Sequence, residues 1–432
     1  MKTTISTGIN NFLSSKFEEE SVSYFFAAIC IVLIPLYTWY IPPFLALWGI
    51  TRIIEIYLSR KKWEGKPIVY ADKKLSFLFV LFFSLQVAGL IYSENLKNGL
   101  NIVLSRFSLL IFPILFISPG NYIDKNRNKL LKLFAGATTI YIVFCYFYAL
   151  FRSFSLNNGQ LIINTHPPEG YWLSYFFGSY FSANQHPSYV AIFVLFSIVI
   201  TLESIITRTL SFKFRLIWIV AFAILISSLY FLSSRSALII VFIIIPLYIY
   251  LKFKAANKIN TALILIVLLT IAGFSIIRTN GRISYYMNQV TKGSIKEMLV
   301  KDSRILIWQS SFKIINENLI LGVGIGDVRD ELMVKYREIG DQDLIASKYN
   351  AHNQFLEITI EGGIVSLISF LLIIFYMTYS AIINKNLLLI FFVAIMIFFF
   401  MFETVLYRLA GIIFFSYFSF LLIKNPSTKR LS

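Results

Sequence analysis

An all-α fold that crosses a membrane many times is what this chain predicts, and three observations predict it. Hydrophobic residues fill 57% of the 432 positions and charged residues only 14%, with a mean hydropathy of +0.73, where a soluble domain carries about 25% charged residues. Apolar runs of membrane-crossing length recur from one end to the other. Lysine and arginine gather in alternate connections between those runs. A soluble enzyme, a disordered chain and a disulfide-stapled module are thereby excluded. Cys30 and Cys145 both lie inside apolar runs, so they provide neither a disulfide framework nor a thiolate metal site.

A run of about 20 apolar residues spans the hydrocarbon core as a helix, because in lipid a helix satisfies its own backbone polar groups. Such runs lie near 22–40, 42–58, 75–92, 100–117, 129–151, 186–206, 215–232, 236–251, 260–277, 357–380, 387–402 and 405–423, twelve in all. The chain divides into an N-terminal membrane region of nine spans (1–277), an extracytoplasmic helical loop (278–356) and a C-terminal membrane region of three spans (357–432). The first twenty residues are polar, end in Glu18-Glu19-Glu20 and lack a basic stretch with a small-residue cleavage site. The first span is therefore expected to be retained.

Orientation follows from the positive-inside rule. With both termini cytoplasmic, the inner connections hold Arg60, Lys61, Lys62, Lys66, Lys73 and Lys74, then Lys125 and Arg127, then Arg208, Lys213 and Arg215, then Lys252, Lys254 and Lys258. The short outer connections hold only Lys97, Arg152, Arg235 and Arg408. The net charge of +17 is then a matter of topology, with anionic inner-leaflet lipid as its partner and no nucleic acid implied.

Two long connections fall on the outer side. Residues 152–185 form an aromatic loop ending in Asn184-Gln185-His186-Pro187. In 278–355, Ile305, Trp308, Phe312 and Ile315 recur at helical spacing, and so do Val328, Leu332, Tyr336 and Ile339, with Asp327 as the expected N-cap. Two amphipathic helices on the outer membrane face are predicted. Gly322-Val323-Gly324-Ile325-Gly326 looks like a nucleotide loop but lacks the Lys-Ser/Thr and the strand–helix–strand setting. A backbone turn passing close to lipid or to another helix is the expectation there.

Ionisable residues within or at the ends of spans are expensive and so are candidates for function. They are Arg52, Glu55, Arg106, Glu203, Arg235, Glu357, Glu361, Glu403 and Arg408. Arg52 and Glu55, three apart, are expected to neutralise each other, and Glu203 to snorkel from an inner helix end. Arg235 sits in Ser233-Ser234-Arg235-Ser236 at an outer corner. A cation among hydroxyls suits a phosphate group, and it equally suits an interfacial anchor. The three histidines, His166, His186 and His352, all fall outside the cytoplasm in this topology. His352 lies where the large loop re-enters the membrane, in position to accept a proton from a hydroxyl or to order the loop's return. No compact ligand spacing accompanies the histidines, so no metal site is predicted.

Taken together, these segments resemble the O-antigen ligase/polymerase family of bacterial membrane glycosyltransferases. The likeness rests on Ser234-Arg235-Ser236-Ala237 after the seventh span, on Ser303-Arg304 with Trp308 leading into the glycine run, and on His352-Asn353 with Leu356, Glu361 and Gly363. Glu403, Arg408 and Gly411 near the end complete it, so it covers about the last half of the chain. The resemblance implies a glycan moved from undecaprenyl diphosphate, on the periplasmic side of the inner membrane, to a lipid A–core acceptor in lipopolysaccharide biosynthesis. It implies Arg235 and Arg304 on the carrier diphosphate, His352 as the catalytic base, and neither cofactor nor metal. His186, Asn353, Glu357, Glu361, Glu403 and Arg408 stand as candidates for acceptor contact or support of the site.

Other functions compete. A polymerase acting on carrier-linked glycan, or a protein O-oligosaccharyltransferase, would use the same fold. A lipid-linked glycan transporter or flippase would need charges or broken helices at the midplane of several spans, whereas the candidates here gather at one face. A peptidoglycan polymerase of the shape–elongation–division type usually has fewer spans and relies on a loop carboxylate.

Overall fold

The computed structural model describes residues 21–62, 72–117, 122–157, 160–167, 174–183, 185–206, 211–255 and 303–423, with a few single residues between 259 and 267. The N-terminal twenty residues, most of the predicted 260–277 span, the 278–302 part of the large loop and the tail from 424 lie outside the described residues. The described chain is helical but for one small hairpin. Its helices are α1 (Ser21–Leu36), α2 (Ile41–Lys62), α3 (Lys73–Ala88), α4 (Leu96–Arg106), α5 (Ser108–Leu115), α6 (Tyr122–Lys125), α7 (Arg127–Ser153) and α8 (Gly178–Phe181). There follow α9 (Pro187–Ile206), α10 (Phe212–Leu232), α11 (Arg235–Ala255), α12 (Ser303–Glu317), α13 (Val328–Ile339), α14 (Gln342–Ser347), α15 (Gln354–Ile383), α16 (Leu387–Phe400) and α17 (Leu409–Leu422).

Eleven of the twelve predicted spans coincide with these helices. Among the described residues seven apolar helices are long enough to cross a membrane, counting Leu96–Leu115 as one, and α1, α16 and α17 are shorter apolar helices. The chain is a multi-pass membrane protein. The last predicted span, 405–423, is shorter than expected: Val405–Tyr407 form a 3-10 turn, Arg408 is extended, and only Leu409–Leu422 is α-helical.

The chain forms two compact units, residues 1–137, 310–393 and 404–432 in the first and 138–309 with 394–403 in the second. The first is centred on α17, whose residues from Gly411 to Leu422 are all buried. A helix apolar on every side belongs in the middle of its bundle. Rings from its neighbours close around it: Phe79 stacks on Phe415 with centroids 5.7 Å apart, Phe134 meets Phe418 at 4.8 Å, and Trp48 and Phe112 both meet Tyr417. The Tyr417 hydroxyl donates to the Ala27 carbonyl at 2.9 Å, and the buried Ser416 and Ser419 hydroxyls donate to carbonyls of their own helix, so these polar groups enter the core satisfied. The second unit is centred on α9, buried from Tyr189 through Leu202.

The aromatic loop after α7 departs from the all-helical expectation. Phe154–Asn157 and Gln160–Ile163 pair as two antiparallel strands, with Asn157 opposite Gln160. Asn158 and Gly159 separate them in sequence, and Asn-Gly between alternating apolar residues is a strong hairpin signal.

Three local expectations are corrected. Asp327 precedes α13 without capping it; its carboxylate instead accepts the N–H groups of Glu94 (2.9 Å) and Asn95 (2.7 Å), which come from a distant turn with no helix to satisfy them. On α12 the buried face is Ile307, Ser310, Ser311, Ile314 and Ile315, while Phe312 is exposed. Two small hydroxyls that permit close packing rotate the face away from the bulkier apolar pattern. Glu203 does not simply snorkel: Lys252 pairs with it at 2.6 Å and the Tyr248 hydroxyl donates to it, both from α11. The Arg52–Glu55 pair forms as expected, at 3.1 Å and almost wholly buried, with Glu55 also accepting from Ser23 and Arg52 donating to the Leu115 carbonyl.

Candidate functional site

The glycine run and the head of α15 define the first part of the site. α15 is interrupted at Gly362 and Gly363, the latter at φ +64°. Such a break frees backbone groups that lipid cannot satisfy. The glycine run meets this need: Val323 N–H donates to the Ile360 carbonyl at 2.8 Å, Gly324 N–H to that of Glu361 at 3.1 Å, and Ile364 N–H to that of Leu319 at 2.8 Å. A side chain at Gly322 would strike the Ile360 carbonyl and the Gly362 and Gly363 nitrogens, so only glycine permits this approach. The predicted close backbone passage is thus a plug in a broken helix.

At that break Glu361 turns to Arg106. Both guanidinium nitrogens bond its carboxylate, at 2.6 and 2.7 Å, with the side chains 1% and 2% exposed. Arg106 also donates to Gln86 and, through Nε, to the Leu406 carbonyl at 3.2 Å. Leu406 N–H in turn donates to Gln354 Oε1 at 2.6 Å. The 3-10 turn at 405–407 is therefore held on both sides, which explains why the last span starts late.

One turn nearer the helix start, Glu357 is 3% exposed and its Oε2 accepts the Ala351 N–H at 3.0 Å. Asn353 is the N-cap, accepting from Phe355 N–H at 2.9 Å and Leu356 N–H at 3.1 Å. Between Ala351 and Asn353 stands His352, half-buried, at φ +45°. Its N–H donates to Asn350 Oδ1 at 3.2 Å, and its ring lies 5.3 Å from that of Tyr349. The Tyr349 carbonyl accepts from the Tyr336 hydroxyl of α13, whose pKa burial and then nearby Glu357 push upward, keeping it a donor.

The remaining candidates lie in the second unit, apart from Arg408. Arg304 is the second residue of α12, and its guanidinium is 3.8 Å from Glu403, with side chains 32% and 12% exposed. Ser188 donates to the same Glu403 oxygen at 2.8 Å. His186 precedes α9, its carbonyl accepting from Tyr189 and Val190, and its ring meets Tyr189 edge-on. Arg235 opens α11 and is exposed, with Ser233 and Ser236 buried beside it in sequence. Ser233, at φ +52°, makes the sharp corner that ends α10. Arg408 is exposed and its carbonyl accepts the Gly411 and Ile412 N–H groups of α17. Among the described residues no three His, Cys, Asp or Glu side chains gather as a metal would require.

A family model described as O-antigen ligase matches residues 220–371. Those residues are similar to the O-antigen ligase family. The O-antigen ligase segment runs from within α10 to within α15, and Arg235, Arg304, His352, Asn353, Glu357, Glu361 and the glycine run all fall inside it. No curated protein matches the chain in sequence.

Sequence reasoning singled out Arg106 as an intramembrane cation but found it no partner, because Glu361 is 255 positions away. It missed Gln86 altogether, a lone amide within an apolar run, which was the available signal.

Proposed function

We propose that the protein is a glycosyltransferase of the O-antigen ligase type. It moves a glycan from undecaprenyl diphosphate to a lipid A–core acceptor at the periplasmic face of the bacterial inner membrane, with both termini cytoplasmic. The observation that carries this reading is that the O-antigen ligase segment contains Arg235, Arg304 and His352 together.

The chemistry such a transfer needs matches those residue types. An acceptor hydroxyl attacks the anomeric carbon, a new glycosidic bond forms, and the bond from that carbon to the diphosphate oxygen breaks. Two guanidinium groups stabilise the negative charge that develops on the leaving diphosphate. The hydroxyl's proton passes to the imidazole of His352. Arg304 and Glu403 are 3.8 Å apart, beyond hydrogen-bond distance.

A strain lacking the gene tests the proposal through its surface polysaccharide. Full-length polymer left on its carrier and absent from lipid A–core is expected. Single-repeat glycans on lipid A–core would reassign the protein as a polymerase, and unchanged surface polysaccharide would overturn the proposal. Orientation is tested separately with a reporter active only outside the cytoplasm, expected to be active after residue 320 and silent after residue 66.

A further inference from the structure

His352 adopts a left-handed backbone conformation at φ +45°. That conformation is uncommon for a non-glycine residue, although His adopts it more readily than most, and holding it fixed takes support from the surroundings. Four contacts enforce it here. Asn350 Oδ1 accepts the His352 N–H, Asn353 caps α15 just after it, and Tyr336 holds the Tyr349 carbonyl just before it. The fourth comes from within the membrane-embedded helix: Glu357 reaches back six residues to accept the Ala351 N–H at 3.0 Å.

That fourth contact differs from the others in cost. Glu357 is 3% exposed and Ala351 fully buried. A carboxylate is expensive to bury, and burying it for a single backbone hydrogen bond is a poor way to stabilise a helix. An apolar side chain would serve packing better. What the carboxylate provides is a strong, directional acceptor aimed at the residue preceding His352. One turn further on, the Arg106–Glu361 pair anchors the same helix, so the acceptor stands on a rigid base.

We propose that Glu357 is a positioning residue which, by accepting the Ala351 N–H, fixes the left-handed turn that presents the His352 imidazole to the acceptor hydroxyl. This rests on the reading of His352 as the base. Glu357 need not touch either substrate. Its removal should let the turn relax toward ordinary backbone geometry, and displacement of a reacting group by about 1 Å costs on the order of 100-fold in rate.

The test is a double-mutant cycle on the purified full-length protein in lipid, with undecaprenyl-diphosphate-linked oligosaccharide as donor. Glu357→Leu removes the acceptor, and Glu357→Gln keeps an oxygen able to accept the same N–H. In the otherwise unaltered protein, Glu357→Leu should lower kcat by about 10–100-fold with donor KM unchanged. Glu357→Gln should retain at least about a third of kcat, the amide oxygen replacing the carboxylate at that N–H. In the His352→Gln background the further loss from Glu357→Leu should shrink to less than about twofold, because residues acting through one another are not additive. Equal losses from Glu357→Leu in both backgrounds, or a rise in KM without a fall in kcat, would overturn the proposal. So would Glu357→Gln behaving like Glu357→Leu; this variant also decides the matter if Glu357→Leu does not insert. A His352→Gln protein that transfers at the normal rate would instead overturn the reading of His352 as the base.

Discussion

Arg106 and Arg304 each face a glutamate, and the two pairs are held in different ways. Arg106 grips Glu361 through two bonds of 2.6 and 2.7 Å with both side chains almost wholly buried. Arg304 stands 3.8 Å from Glu403 with a third of its side chain exposed. The first pair closes a network through Gln86, Leu406 and Gln354 that leaves the guanidinium no room to change partners. The second is a longer contact between partly exposed side chains, and Glu403 also accepts from Ser188. On the proposed reading, one region stays still and carries the histidine turn, and the other exchanges its anion; such a transfer requires a base placed in advance and a leaving group free to depart.

The largest effect expected on either region comes from His352. His352→Gln should fold and bind the lipid-linked donor, yet lose about 10²–10⁴-fold in transfer rate, measured on purified protein. Near-normal transfer would reduce the still region to scaffold. Next comes stability. Arg106→Met leaves Glu361 buried without its cation and should cost about 3–5 kcal/mol, read as a fall in the unfolding midpoint. Arg304→Met should cost at most about 1 kcal/mol in the same assay. Equal costs would erase the distinction between the two pairs.

In activity the ranking reverses toward the exchangeable region. Arg304→Ala and Arg235→Ala should each weaken transfer by about 2–4 kcal/mol with the protein still inserted. Lysine at either position should rescue only in part, because an ammonium lacks the planar fork. Normal transfer by both alanine variants would remove the proposed carrier site. Smaller again, Asn353→Ala should cost about 1 kcal/mol of stability through the lost helix cap, seen in the unfolding midpoint. Smallest in transfer, Arg52→Ala combined with Glu55→Ala should leave the rate unchanged, since that buried pair serves the core of α1 and α2.

Much of this protein was legible in its sequence. Hydropathy and helix length give the membrane spans without reference to any contact, because a helix in lipid must satisfy its backbone alone. The corner at Ser233 and the close passage of the glycine run were also legible, since a residue at positive φ and glycines without side chains permit them. Only the tertiary structure decided which distant groups share a bond. Asp327 was expected to cap its own helix and instead satisfies Glu94 and Asn95. Arg106 found Glu361 across 255 positions. Glu203 found Lys252. The reason is common to all three. Periodicity records which side of an element faces away from water or lipid, but a charged side chain goes to whichever partner the packing brings within hydrogen-bond reach, and sequence separation carries no record of that distance.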